Sequence, residues 1–316
     1  MGRSLRARAR AVVEGLQDAI TGALEAVDGG ARFREDLWSR AAGGGGRSRV
    51  LEGGRVFEKA GVNVSAVWGE VPRAVASTMP GEGPSFFATG VSLVLHPLSP
   101  QVPTTHANFR YIERGSFAAD GTAAGDVEHT GWFGGGADLT PYLLYEDDAR
   151  HFHVTLKAAC DTGGAHFYPR YKAWCDEYFR NTHRDEGRGV GGIFFDWLRP
   201  GVAEAGERDL EALFGFWERV GASFLPAYLP IVERRRDAPW TEEDRRWQLE
   251  RRGRYVEFNL LHDRGTKFGL QTGGRVESIL MSLPPLVRWD YAAPEPAPGT
   301  PGARLLEVLR RPVDWV

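Results

Sequence analysis

Two cysteines, Cys160 and Cys175, are all that this 316-residue chain contains. A disulfide framework is therefore not expected, and neither a CxxC zinc site nor an iron–sulfur cluster can be built from so few thiols alone. Cys175 lies between Trp174 and Asp176 in a helical pattern and reads as a buried packing thiol rather than a nucleophile. No run approaches the ~20 apolar residues of a membrane span. Neither sign of charge dominates: 39 Lys and Arg against 42 Asp and Glu leave a formal net charge of -3. Nothing general draws such a chain to nucleic acid or an acidic membrane, so individually placed arginines must meet any anionic ligand. Internal repeats and long flexible linkers are missing too. The glycine run Gly43 to Gly46, closed by Arg47-Ser48-Arg49, lacks the Gly-Lys-Ser/Thr ending of a P-loop and reads as a turn. The Met1-Gly2 start carries Arg6 where N-myristoylation needs Ser or Thr.

The composition is otherwise that of a globular protein long enough to bury a substantial core, and one domain over residues 1–316 is expected. Arg3, Arg6, Arg8 and Arg10 precede the first acid, Glu14, which suggests a transit peptide. Against that, Leu5, Ala9, Val12, Val13, Leu16, Ile20 and Leu24 recur at three- and four-residue spacing, which predicts a folded amphipathic helix and a cytoplasmic protein.

The middle of the chain alternates. Ser92, Val94 and His96 face one way and Val91, Leu93 and Leu95 the other. After the loop from Pro97 to Pro103, Thr104, His106, Asn108 and Arg110 oppose Ala107, Phe109 and Tyr111, so the two segments read as antiparallel neighbours. Gly134 to Pro141 reads as a loop. Helices are predicted from Glu146 to Cys160, from Pro169 through Thr182, from Leu210 to Arg235, and from a capping box at Thr241 and Asp244. Tyr255 to Leu261 alternates as a late strand ending at Asp263-Arg264, and Gly273-Gly274-Arg275 forms a tight turn. Strands and helices interleave without βαβ spacing, which favours an α+β fold with an antiparallel sheet.

A sheet face bearing Ser, His, Thr, His, Asn and Arg could simply be solvated. It lacks Lys and Glu altogether, however, which favours a ligand-binding face. Arg110 offers a planar fork for carboxylates, and His106 can exchange a proton near neutral pH. His96 and His106 share this face, with His153 and His183 on helices that could pack over it; such imidazoles either hold a divalent metal or hydrogen-bond their surroundings. His151 and His153, two apart on a helix, cannot point the same way. Asp263 and Arg264 read as an ion pair by default, or as a carboxylate for ring N–H groups beside a guanidinium for an anion.

Five ordered motifs carry a resemblance. They are Gly43 to Leu51 with Phe57-Glu58-Lys59-Ala60-Gly61-Val62-Asn63; Trp132 to Pro141; Lys172 to Phe179 followed by His183 to Asp196; Gly253-Arg254-Tyr255-Val256-Glu257-Phe258-Asn259-Leu260; and Asp263 to Leu270. Together they closely resemble the oxygen-dependent coproporphyrinogen-III oxidase family, from about Gln17 to Val316. The resemblance implies a flat antiparallel sheet flanked by helices on both faces. It also implies oxidative decarboxylation of two propionates of coproporphyrinogen III to vinyl groups, giving protoporphyrinogen IX in haem biosynthesis. Molecular oxygen is the acceptor, carbon dioxide and hydrogen peroxide are released, and no organic cofactor takes part. The family pattern makes His106 the proton donor and puts Asp263 in catalysis. It puts Ser92, Asn108, Phe109, Arg110, Arg264, Gly273, Gly274 and Arg275 at substrate contacts, and His96, His106, His153 and His183 at a divalent metal. A homodimer through Tyr255 to Asp290 is implied as well. A non-catalytic porphyrin or haem carrier is the rival reading, and a hydrolase or dioxygenase built on the histidines a third. The oxygen-independent radical enzyme is excluded, since its cluster needs three closely spaced cysteines.

Overall fold

The computed structural model describes residues 4–73, 76–118, 130–271 and 274–316. A long helix, α1 (Leu5–Asp28), opens the chain, with Ser4 capping its first turn and Gly29 closing it in the left-handed conformation. Six strands follow: β1 (Arg34–Ser39), β2 (Gly44–Glu52), β3 (Phe57–Glu70), β4 (Ser85–Pro97), β5 (Thr104–Gly115) and β6 (Thr130–Thr140). Helices α2 (Glu146–Asp161) and α3 (Phe167–Tyr178) lead to a small hairpin, β7 (Arg180–Asn181) with β8 (Glu186–Gly187), and then to β9 (Gly192–Leu198). The rest is helical: α4 (Leu210–Ala222), α5 (Phe224–Arg235), α6 (Glu242–Leu261), α7 (Arg264–Gln271), α8 (Val276–Leu280) and α9 (Pro301–Arg310).

Seven strands form one antiparallel sheet in the order β1-β2-β3-β4-β5-β6-β9, so the α+β reading stands. Each strand's alternation decides which helices it meets. Val91, Leu93 and Leu95 of β4 with Ala107, Phe109 and Tyr111 of β5 turn to a core shared with α1 and α4. Each Val, Leu or Phe among them contributes roughly 1.5–3 kcal/mol by leaving water. The opposite face is polar and lies under α6 and α8: Asn63 donates to the Ser278 carbonyl at 2.9 Å, and the rings of His96 and Tyr255 meet edge to face at 5.3 Å. Helices thus cover both faces.

Several local expectations are corrected. Tyr255 to Leu261 is the end of α6, not a strand. The capping box at Thr241 and Asp244 starts a helix that no proline interrupts, and Gln248, Arg251, Arg252, Tyr255, Phe258 and Asn259 are buried along it at helical spacing. Gly134 to Thr140 is strand rather than loop, and Gly44 to Gly46 is strand rather than turn. In both runs the glycines leave room for a neighbour: the Trp38 ring lies over Gly46, and a methyl group on Gly135 would sit 2.8 Å from the Phe109 ring. Such glycines pair as strand residues because a large cross-strand side chain covers them.

Leu210 to Arg235 is two helices, broken at Ser223. Pro226 has no N–H for the carbonyl four residues back, so one continuous ladder cannot form. Pro230 frees the Pro226 carbonyl in the same way, and the ring of His151 bonds it at 3.0 Å. His151 and His153 do point apart, the first partly exposed and the second fully buried. Helix α3 ends at Tyr178, so Thr182 and His183 belong to the turn of the β7–β8 hairpin instead. Cys160 and Cys175 are buried free thiols, and burial pushes both thiol pKa values up, as packing residues require. Among the described residues no helix is long and apolar enough to cross a membrane.

Candidate active site

Strand register lays the polar face out in rows. Ser48, Asn63, Ser92, Asn108 and Gly136 lie side by side across β2 to β6. One step along, Gly61, Val94, His106 and Asp138 form the next row. In the other direction Gly90, Arg110 and Gly134 form a third, so Arg110 has a glycine on each neighbouring strand. Period-two alternation alone delivers His106, Asn108 and Arg110 to one surface. It also turns the Phe109 side chain away, into the core, where it is 1% exposed.

His106 is held from behind. Its Nδ1 lies 2.7 Å from Asp138 Oδ1, while Asp138 Oδ2 accepts from Arg188 NH2 at 2.6 Å. Arg188 is buried against the rings of Phe179, Tyr255 and Phe258, with its carbon Cζ 4.1 Å from the first, and NH1 donates to Asn259 Oδ1. Burial alone would raise the Asp138 carboxyl, but the charges of Arg188 and His106 outweigh it and hold Asp138 below the usual carboxylate range. An ionised Asp138 can only accept, so His106 Nδ1 carries a hydrogen and the tautomer is fixed. His106 Nε2 has no hydrogen-bond partner among the described residues and is the ring atom left for a ligand.

Asp263 joins from the junction of α6 and α7. Its carboxylate accepts from Tyr178 OH at 2.9 Å and from the Thr266 backbone N–H at 2.6 Å. Burial works to raise its pKa, yet these hydrogen bonds and the nearby His106 leave it lowered. Asp263 and Arg264 are not an ion pair among the described residues. Arg264 instead places its guanidinium 4.7 Å from the centre of the Tyr178 ring. Arg275 reaches back to Asp36 and, weakly, to Ser278. Gly274 precedes α8, its N–H bonded to the Gly269 carbonyl, and Gly273 lies outside the described residues.

The four histidines do not come together. His96 is fully buried, with Nδ1 3.2 Å from Thr104 Oγ1 and Nε2 2.9 Å from the Ser282 carbonyl. His153 meets Tyr168 OH at 2.8 Å and the Val190 carbonyl at 3.1 Å. His183 pairs with His262 at 2.9 Å and with Glu257 at 2.8 Å. Among the described residues no group of three or more His, Cys, Asp or Glu is placed to hold a metal ion. Three of the four rings have both nitrogens occupied, so this donor set does not fit a shared metal.

The buried ring of His153 has a consequence in acid. Burial pushes its pKa down to about 3 from the usual 6.5, against the opposing pull of the Val190 carbonyl. The folded value lies below the unfolded one, so the neutral ring stabilises fully above pH 6.5 and progressively less as pH falls toward about 3. Thermal melts of His153→Gln should therefore depend less on pH over this window than those of the parent protein. Parallel curves would refute it.

Sequence reasoning assigned no role to Asp138, Arg188, Tyr178 or Asp196, although all four lie inside the quoted motifs. The available signal was Asp138, which sits two strands from His96 and directly opposite His106 once Gly134 to Thr140 is read as a strand. Comparison with known proteins adds the wider context. A family model described as Coproporphyrinogen III oxidase matches residues 8–315. The chain is 49% identical over 323 residues to coproporphyrinogen-III oxidase 1, chloroplastic, of Arabidopsis thaliana, covering 99% of this chain and 80% of that one. It is also 49% identical over 320 residues to the oxygen-dependent coproporphyrinogen-III oxidase, chloroplastic, of Glycine max, with the same coverage of 99% and 80%.

Proposed function

The chain belongs to the oxygen-dependent coproporphyrinogen-III oxidase family of tetrapyrrole biosynthesis, and from that premise we propose how its polar sheet face performs the reaction. The observation that carries the reading is the His106–Asp138–Arg188 chain, which fixes one imidazole nitrogen toward a face shared with Asn108 and Arg110.

Stoichiometry says what the residues must do. Each propionate loses its carboxylate as carbon dioxide, and a hydrogen with two electrons passes to oxygen. With one added proton the oxygen becomes hydrogen peroxide and a vinyl group remains. One proton is consumed per vinyl formed, and His106 Nε2 is the atom that supplies it, from a ring that carries a hydrogen on both nitrogens while Asp138 holds the one at Nδ1. Asp263, kept ionised by its hydrogen bonds, accepts from the pyrrole N–H groups and so positions the ring and enriches it in electrons for attack on oxygen. Arg110, Arg264 and Arg275 meet substrate carboxylates. Arg264 makes no ion pair among the described residues and is available at once, whereas Arg110 and Arg275 must exchange partners. Ser92 and Asn108 offer hydrogen bonds from the sheet floor, and Phe109, its ring in the core and its backbone paired to β4 and β6, holds Asn108 and Arg110 in place there.

The core that includes Ala9 of α1 and Val308 of α9 supports a single catalytic domain over residues 1–316. A homodimer through Tyr255 to Asp290 is supported by the large hydrophobic side chains left exposed there, Leu260, Leu261, Leu286 and Trp289 among them. Arg6 and Arg8 pair with Glu113 and Glu211, so this basic segment belongs to the folded enzyme, and cell fractionation checks the cytoplasmic expectation.

The deciding experiment supplies coproporphyrinogen III with and without oxygen, and with and without chelator. Carbon dioxide release should require oxygen and survive chelation. Release without oxygen, or none with it, would sink the reading in favour of another chemistry or a carrier. Sedimentation of the same preparation should give a particle near twice the 34.9 kDa chain.

A further inference from the structure

Asp196 stands beside Arg110 for reasons the backbone makes visible. Between the pairs Phe133–Leu198 and Gly135–Phe195 the register of β6 and β9 shifts by one residue, so Gly134 faces a bulge containing Asp196 and Trp197. Bulges re-aim side chains. Here the bulged Trp197 holds φ at 60°, a left-handed conformation costly for a large residue. Its N–H donates to Asp196 Oδ1 at 2.9 Å, and its ring stacks on Trp132 with centroids 5.4 Å apart. The result is an Asp196 Oδ2 placed 2.7 Å from Arg110 NH2, with Asn108 Oδ1 2.6 Å from NH1. Gly134 is what lets them meet, since a methyl group there would lie 2.7 Å from Asp196 Oδ1 and 2.8 Å from Arg110 Nε.

On the reading that Arg110 receives a substrate carboxylate, this strained arrangement has a use peculiar to decarboxylation. The anion that binds is destroyed by the reaction: the carboxylate leaves as neutral carbon dioxide and an apolar vinyl group takes its place. A half-buried guanidinium would then face the product with no counter-charge. We propose that Asp196 is the standby counter-ion of Arg110, yielding it to the reacting propionate and taking it back as that propionate is lost. Asp196 is a positioning residue that acts through Arg110 and touches no reacting atom.

The thermodynamic signature is unusual, because substrate and product move in opposite directions. In Asp196→Asn the substrate no longer competes for Arg110, so coproporphyrinogen III should bind more tightly, on the order of fivefold for a partly exposed pair. The affinity can be measured without oxygen, where turnover does not occur. Protoporphyrinogen IX should bind more weakly. Because the carboxylate's charge is being lost in the transition state, the added ground-state binding should lower kcat by about the same factor. Asp196→Glu, which keeps the charge, should stay near the parent on all three. A purely structural Asp196 would weaken both affinities together; that result, or unchanged affinities, overturns the proposal. Should Asp196→Asn fail to fold, Trp197→Gly loosens the aim of Asp196 and should give a smaller change of the same pattern, its absence being equally decisive. Arg110→Leu separates the premise from the inference. If that variant binds substrate normally, the carboxylate reading of Arg110 falls; if it binds poorly while Asp196→Asn changes nothing, only the standby role falls.

Discussion

Arg188→Met is expected to lower the free energy of unfolding by about 3–5 kcal/mol, the range for breaking a buried ion pair from one side. Both partners are out of water: the side chains of Arg188 and Asp138 are 2% and 3% exposed. Methionine fills much of the volume among Phe179, Tyr255 and Phe258, so lost packing is the smaller part of the cost. The larger part is the carboxylate left behind. Asp138 would keep only His106 as a partner and must either remain an under-compensated buried anion or take up a proton. In the second case it ceases to be a pure acceptor, and the tautomer of His106 is no longer fixed. Activity should fall with stability even though Arg188 touches no part of the proposed substrate position. Urea unfolding of Arg188→Met, Asp138→Asn and the double variant gives the decisive comparison. The double variant removes both charges and should be more stable than Arg188→Met alone. A loss below about 1 kcal/mol in Arg188→Met would mean the pair behaves as a surface contact, contrary to its burial.

How far the sequence foresaw this depends on which interaction fixes each element. β4 and β5 were legible because alternation is a strictly local signal, and it put Ser92, His96, His106, Asn108 and Arg110 on one face as found. The glycine-rich strands were not. Gly44 to Gly46 and Gly134 to Gly136 have no side chains with which to announce a strand, and what makes them strands is Trp38, Phe109 and Arg110 lying over them from the neighbouring strands. The misread end of α6 has the opposite cause. Tyr255 to Leu261 shows an alternation by accident, while the helix is set by the cap at Thr241, more than three turns upstream.

The site was half visible for the same reason. Types of residue suited to carboxylates and protons could be picked from one strand, but their partners come from β6, β9, α6 and the residue that follows β8. Asp138 and Arg188 acquire meaning only when a strand, a hairpin and a helix converge. The histidine set shows the limit from the other side. His96 and His153 have the right element for a metal, yet each is spent on a hydroxyl and a carbonyl that no spacing rule in the sequence reveals.

The sharpest functional expectation concerns His106. His106→Ala should lower kcat on the order of 10²–10⁴-fold, the usual contribution of a positioned proton donor. Affinity for coproporphyrinogen III, measured without oxygen, should change little, because the carboxylates are held by the arginines. Asp138→Asn is the informative companion. An amide can offer N–H as well as oxygen to His106 Nδ1 and brings no negative charge to a ring that holds a hydrogen on both nitrogens, so delivery of a proton from Nε2 should weaken. If the two residues act as a unit, the double variant will be hardly slower than His106→Ala alone, since the carboxylate has no task without the ring it orients. Multiplying losses would instead mean that Asp138 acts on the substrate by another route. Added imidazole gives a control that a structural role could not mimic. The cavity left by His106→Ala opens on the face where Nε2 points, and imidazole seated there restores the proton donor without restoring the chain. Partial recovery of turnover that saturates with imidazole is expected for His106→Ala and not for Arg188→Met. Unchanged kcat in His106→Ala would overturn the role proposed for the ring and transfer the proton to another group.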